Sequence, residues 1–485
     1  MSLAEALSPA LTATVPRHRI SQTTKIFYGI GAAAYGVRDT GFNSFVLIFY
    51  NQVLGLPASL AGLALMLTLI ADAIFDPLIG MASDGWRSRW GRRHPFIVAA
   101  AAPAALAHFF LWHPPALASA AGLFWYLLAI AIAVRFCISL FEVPFAALVA
   151  EFTTDYDERT SLITYLYVFG WWAGLTLSVL AYAVFLHPSA GDPSGLLSRH
   201  GFASYGLFAS IVLLFAILIP AFGTRHEIPH LAKPSPAQAR FTTALADLTL
   251  LFRNRSVLAL LGSVILLGAS QGFGNALYNY IQVFFWRLTS AQLTIMALAP
   301  FASATLAFFA APWLAKGRDK RNIAVVIVLL ALVVQPLPML LRLAGLFPAN
   351  GSPFLVPLLT LHSAFETGMW VMFAILSASM VADLVEDNQR LTLRRTEGAL
   401  FALQIFARKA VSGVGIFLSG IVLDLIRFPV NAAPGHVPQA ILNGLAYSYA
   451  PILFACGAAA AWSLRFYRVT REKHAMNVAA VAKTH

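Results

Sequence analysis

Charge is what this chain has least of. Asp, Glu, Lys and Arg make up 11% of its 485 residues, roughly half the share of a soluble domain, and that scarcity excludes a soluble globular protein of this length. There are two cysteines, Cys137 and Cys456, each inside an apolar run, so neither a disulfide framework nor a thiolate metal centre is on offer. A cleavable leader is not expected, because no continuous apolar core precedes Pro16, Arg17, His18 and Arg19. No HExxH, phosphate loop or nucleophile constellation occurs, so no enzyme and no cofactor are expected.

What is present is apolar: 59% of residues are hydrophobic and the mean hydropathy is +0.74. Runs long enough to cross a bilayer recur at 26–50, 57–81, 95–113, 121–149, 160–187 and 202–223. A second set follows at 256–285, 291–315, 322–345, 353–382, 396–425 and 441–464, each above the ~17 to 20 residues a spanning helix needs. The expected fold is all-α and integral to the membrane, with twelve transmembrane helices in two six-helix bundles around a central cavity. The organisation expected is a cytoplasmic segment (1–25), a first bundle (26–223), a cytoplasmic linker (224–255), a second bundle (256–466) and a cytoplasmic tail (467–485). Within the linker, Ala237 to Phe252 reads as a surface amphipathic helix.

The net charge of +12 needs no nucleic acid. Of the 33 Lys and Arg, four (Arg199, Arg287, Arg427 and, at the end of the run 322–345, Arg342) fall on one side and four (Arg38, Arg135, Arg408, Lys409) deep within spans. The other 25 fall on the opposite side, the positive-inside signature of a cell-membrane protein with both termini cytoplasmic. Basic turns follow the second span of each half, G-R-R at 91–93 and G-R-D-K-R at 317–321, as a repeated six-helix unit would place them.

The informative residues are the charges inside the spans: Arg38 and Asp39, Asp72 and Asp76, Arg135 and Glu142, His362 and Glu366, Arg408 and Lys409. A charge at mid-bilayer costs at least ~2.5 kcal/mol, so these groups must face one another or a wet cavity. Asp72 and Asp76 are four apart and share a helix face, as do His362 and Glu366. With Arg135, Ser139 and Glu142 on one face of the fourth span, three carboxylates and a hydroxyl can converge on a small hard cation or a proton. The plainer reading is a set of static ion pairs between these acids and the arginines. Tyr165, Trp171 and Trp172, with Gln271, Asn275, Tyr278 and Asn279, are candidates to line a sugar pocket or simply to pack.

Three stretches carry a resemblance: D-A-I-F-D-P-L-I-G with S-D-G-W-R-S-R-W-G-R-R-H-P-F; F-E-V-P-F-A-A-L-V-A-E-F-T-T-D-Y-D-E-R-T; and M-V-A-D-L-V-E-D-N-Q-R with R-R-T-E-G. In this order they resemble the glycoside-pentoside-hexuronide cation symporters of the major facilitator superfamily, over nearly the whole chain. The resemblance implies a monomeric secondary transporter working by alternating access, coupling Na⁺ or H⁺ to a sugar, glycoside or hexuronide-like metabolite. Asp72, Asp76, Ser139 and Glu142 then match the cation site. Arg38, Asp39, Arg135, Glu142, Trp172, His362, Glu366 and Lys409 are the expected substrate contacts. Asp84, Arg92, Arg93, Arg159, Asp383, Arg395 and Glu397 match a cytoplasmic ion-pair gate. No metal beyond Na⁺ is implied.

The chain also departs from the family. Phe75 stands where the D-A-x-N-D-P motif has asparagine, Gly36 where a first-span sugar aspartate belongs, with Asp39 about one turn on, Tyr167 replaces an arginine and Ala146 a tryptophan. The cation machinery is expected to be kept and a galactoside pocket is not. Arg38 and Arg135 would suit an anionic substrate. A lysophospholipid carrier of the same fold is the alternative transporter, and a non-transporting membrane sensor the alternative of another class.

Overall fold

Hydrocarbon offers the backbone no hydrogen-bond partner, so each apolar run satisfies its own N–H and C=O groups as a helix. The computed structural model describes the chain except residues 1–19, 117–118, 154, 190–191, 232–250, 253, 393–396, 470–471, 474–475 and 477–485, and leaves the side chains of Glu397 and Arg408, among others, undescribed. Most of the expected linker helix at Ala237 to Phe252 lies outside the described residues.

Among the described residues twelve helical rods cross the fold. α1 is built of Gln22–Gly31, Ala33–Thr40 and Val46–Ile48, with π-helical turns at Gly41–Phe45 and Phe49–Val53. The rest of the first half is α2 (Ala58–Gly85), α3 (His94–Trp112), α4 (Ala120–Phe152), α5 (Tyr156–Leu180 with a π turn, Ala181–Phe185) and α6 (Arg199–Gly223). The second half is α7 (Arg255–Tyr280 with a π turn, Ile281–Phe285), α8 (Ser290–Ala315), α9 (Lys320–Val334 then Leu337–Leu343), α10 (Leu355–Thr392), α11 (Glu397–Leu425) and α12 (Gln439–Leu464). Ten of these rods are apolar and long enough to span a membrane; the broken α1 and the lysine-bearing α11 complete the set.

The inner ends run on beyond the apolar stretches. α2 reaches Gly85, α4 Phe152 and α10 Thr392, because nothing in their polar last turns breaks a helix and water satisfies the freed carbonyls there. α1 differs from the expected single run at 26–50: it starts at Gln22, where the Ser21 hydroxyl accepts the Thr24 amide at 3.0 Å, and it is interrupted twice.

Two packings set the site. Tyr28 stacks on Phe145 at 4.4 Å and Phe141 on Phe145 at 4.6 Å, which seats α1 on α4. α2 meets α11 almost backbone to backbone, since a Cβ at Gly62 would stand 3.0 Å from the Ile416 carbonyl oxygen and one at Gly413 3.2 Å from Leu69 Cβ. That approach brings the second half within a lysine's reach of the first.

The halves also touch at one end of the rods, the end that the Lys and Arg bias marks as outer. Asn279 donates to the Ser44 carbonyl at 2.5 Å and accepts from Tyr182 at 2.9 Å. Tyr280 donates to Asn51 at 2.8 Å, and Gln52 donates to the Pro429 carbonyl at 3.1 Å while accepting from the Ala432 amide at 3.0 Å. At the same end Asp424 accepts from the Ser59 amide at 3.1 Å. Asn279→Ala removes two buried bonds worth about 2 kcal/mol together and should raise the outward-open population roughly thirtyfold. A Trp172→Cys reporter in a cysteine-free background would read this as faster labelling by an external, impermeant thiol reagent; an unchanged rate rejects a gating role for these contacts.

Candidate functional site: a charge cluster between the halves

Four helices converge on one cluster near mid-membrane. α2 supplies Asp72 and Asp76, one turn apart; α4 supplies Arg135, Ser139 and Glu142; α1 supplies Arg38 and Asp39; α11 supplies Lys409. Asp72 is 1% exposed. Ser139 Oγ stands 2.8 Å from both Asp72 Oδ1 and Asp76 Oδ1. A hydroxyl has one proton to give, so this bridge is a point where two carboxylates share a donor.

The bases interleave with the acids. Lys409 Nζ lies 2.7 Å from Asp76 Oδ2, 3.3 Å from Asp72 Oδ2 and 4.0 Å from Glu142 Oε2. Arg135 Nη1 is 3.4 Å from Asp72 Oδ2 and its guanidinium sits over the Phe42 ring at 4.5 Å. Arg38 donates Nε to Asp39 at 2.9 Å and pairs through Nη1 with Glu142. Among the described side chains four carboxylates and three bases meet here, and Asp72 and Asp76 share one hydroxyl and one ammonium. The missing asparagine is explained by packing: Phe75 turns onto Phe136 of α4, edge to face at 5.2 Å. Neutral oxygens remain close by, because Pro77 inside α2 and Pro144 inside α4 deprive the Ala73 and Leu140 carbonyls of their i+4 donors.

The expected substrate residues divide. Arg38, Asp39, Arg135, Glu142 and Lys409 meet in this cluster, with Lys409 on the acids expected to hold the cation. Trp172 of α5 is 54% exposed and meets Phe301 of α8 edge-on at 5.8 Å. His362 and Glu366 point elsewhere, into a cavity lined from α7, α8, α9, α10 and α12 with Gln282, Gln335 and Tyr449.

Of the expected gate, Arg92 and Arg93 both bind Glu151 at the inner end of α4 at 2.8 Å, and Arg93 reaches Asp84 at 2.5 Å. In the second half Lys320 binds Asp383 at 2.7 Å, so each half ties its basic turn to an acid at the inner end of its fourth helix. Glu151 and Lys320 were not among the expected gate residues; the signal was an acid closing an apolar run opposite G-R-R. Arg159 donates Nε to the Thr153 carbonyl at 3.0 Å, finishing the end of α4. Arg395 and the Glu397 side chain lie outside the described residues.

Comparison with known proteins agrees with this architecture. An uncharacterized symporter of Synechocystis sp. is 28% identical over 542 residues, covering 96% of this chain and 97% of its own. The isoprimeverose transporter of Lactiplantibacillus pentosus is 23% identical over 471 residues, covering 96% and 92%. The fold is shared with the inward-open xylose transporter XylE from E. coli, at TM-score 0.61 and 14% identity over 94% of this chain and 98% of that one. The profile of the MFS/sugar transport protein family matches residues 27–471, and the chain belongs to that family.

Proposed function

We propose that this chain is a cation-coupled symporter of a neutral sugar or glycoside, with Asp72, Asp76, Ser139 and Glu142 taking Na⁺ or H⁺ and the side chains of Arg38, Asp39 and Trp172 facing the substrate. The observation that carries the reading is the pair of carboxylates, Asp72 and Asp76, that share the Ser139 hydroxyl and the Lys409 ammonium at the contact between halves. The pairing argues against a hexuronide, since Arg38 is already held by Asp39 and Glu142 and Arg135 by Asp72. Trp172 offers an exposed aromatic face of the kind on which a sugar ring packs. The inner pairs of Arg92 and Arg93 with Glu151 and Asp84, and of Lys320 with Asp383, stiffen each half as it rocks; Arg159, Arg395 and Glu397 belong to the same inner-side proposal.

The test is uptake into proteoliposomes under an imposed Na⁺ or pH gradient, offering neutral glycosides, a hexuronate and lysophosphatidylcholine in turn. The expected result is uphill accumulation of a neutral glycoside that collapses when the gradient is dissipated. Uptake indifferent to both gradients rejects coupling, and transport of the lysolipid alone replaces the substrate class.

A further inference from the structure

The second bundle holds a polar cavity of its own, set away from the contact between halves. It is walled by α7, α8, α9, α10 and α12, and Asn275, Tyr278, Gln282, Gln335, Glu366 and Tyr449 are among its polar lining. α9 breaks there. Pro338 cannot donate to the Val334 carbonyl four residues before it, and His362 makes good the loss by donating Nε2–H to that carbonyl at 2.7 Å. His362 is thereby used in holding the break.

Glu366 is the one carboxylate of this cavity among the described residues, and Gln335 and Tyr449 line the cavity with it. No Lys or Arg lines this cavity among the described residues; the titratable groups facing Glu366 are His362 on its own helix, Tyr278 from α7 and Tyr449 from α12, with none from α8 or α9. A second group asks for a positive partner independently. Gln282 is 6% exposed, lines the same cavity, and its side-chain oxygen has no hydrogen-bond partner among the described residues. A buried acceptor left alone is costly, and so is an uncompensated carboxylate in a bundle.

We propose that this cavity binds one monovalent metal cation, with Glu366 supplying the single negative charge and Gln282 Oε1 and the hydroxyls of Ser363, Tyr278 and Tyr449 the neutral oxygens. One carboxylate with amide and hydroxyl oxygens matches a hard ion of charge one, since a divalent ion would remain half uncompensated. Trp286 at the end of α7, Met339 on the outer segment of α9 and Leu359 early in α10 set the cavity toward the outer face, from which the ion enters. The site is separate from the Asp72 cluster and does not rest on the symport reading.

The experiment is a thermal-unfolding titration of the purified full-length protein with NaCl, LiCl and KCl at fixed pH, choline chloride holding ionic strength. In the Asp72→Asn/Asp76→Asn double variant, where the central acids are gone, a saturable rise in Tm with at least one ion and not with choline is expected. Adding Glu366→Gln should abolish that rise. Gln282→Leu should weaken the apparent affinity about tenfold while leaving Tm in choline unchanged or higher, because it deletes an unsatisfied oxygen. Gln282→Leu carries the test if Glu366→Gln fails to fold, and Glu366→Gln in the otherwise wild-type chain, which should lose one of two ion responses, carries it if the double variant fails. An absent ion response in a folded double variant, one retained in full by Glu366→Gln, or one that follows pH alone would overturn the proposal.

Discussion

Replacing Asp72 by asparagine should lower gradient-driven uptake at least about a hundredfold, because leaving a buried partner charge alone costs about 3–5 kcal/mol. Asp72 is the acid that meets Ser139, Arg135 and Lys409 together. Its loss strands the buried guanidinium of Arg135 and removes one of the two carboxylates that share the Ser139 hydroxyl. Asp76→Asn should cost less, about tenfold, since Asp76 is the more exposed of the two and half-hydrated groups feel a neighbour's charge less. Initial uptake rates in proteoliposomes, set beside substrate counterflow without an ion gradient, separate coupling from folding. If Asp72→Asn still accumulated substrate as the native protein does, the cation assignment would be wrong.

Lys409→Gln should give the second large effect, in two directions. The cluster then loses one positive charge, and its affinity for a monovalent cation should rise about tenfold. Accumulation should nonetheless fall by more than about tenfold, because a ligand moves an equilibrium only through its differential affinity for the two states. Lys409 is what makes that difference: its ammonium lies between Asp72 and Asp76 from the other half of the molecule, so an entering ion competes with a contact between halves. Ion-dependent Tm shifts measure the affinity and steady-state accumulation ratios the coupling. A variant that bound the ion more tightly and accumulated substrate undiminished would remove Lys409 from the coupling path.

Much of the cluster was legible in the sequence. Asp72, Asp76, Ser139 and Glu142 fall on predictable helix faces, and three of them are acids in apolar runs. The role of Lys409 was not legible, because Asp72 and Asp76 lie more than 300 residues away and the approach depends on glycines whose contacts show only once α2 and α11 are docked. His362 and Glu366 shared a face as expected, but that face turns into the second bundle, because the proline break in α9 takes the imidazole. Phe75 was readable as a missing ligand and not as the edge partner of Phe136.

The membrane class and the number of spans were determined by the sequence alone, because the cost of a polar group in hydrocarbon acts on each segment without regard to its neighbours. Which carboxylate meets which base, and that His362 and Glu366 stand apart from the Asp72 cluster, were decided only by the tertiary structure. Those outcomes turn on contacts of a few ångströms between distant helices, where a single glycine or proline changes which side chains can touch.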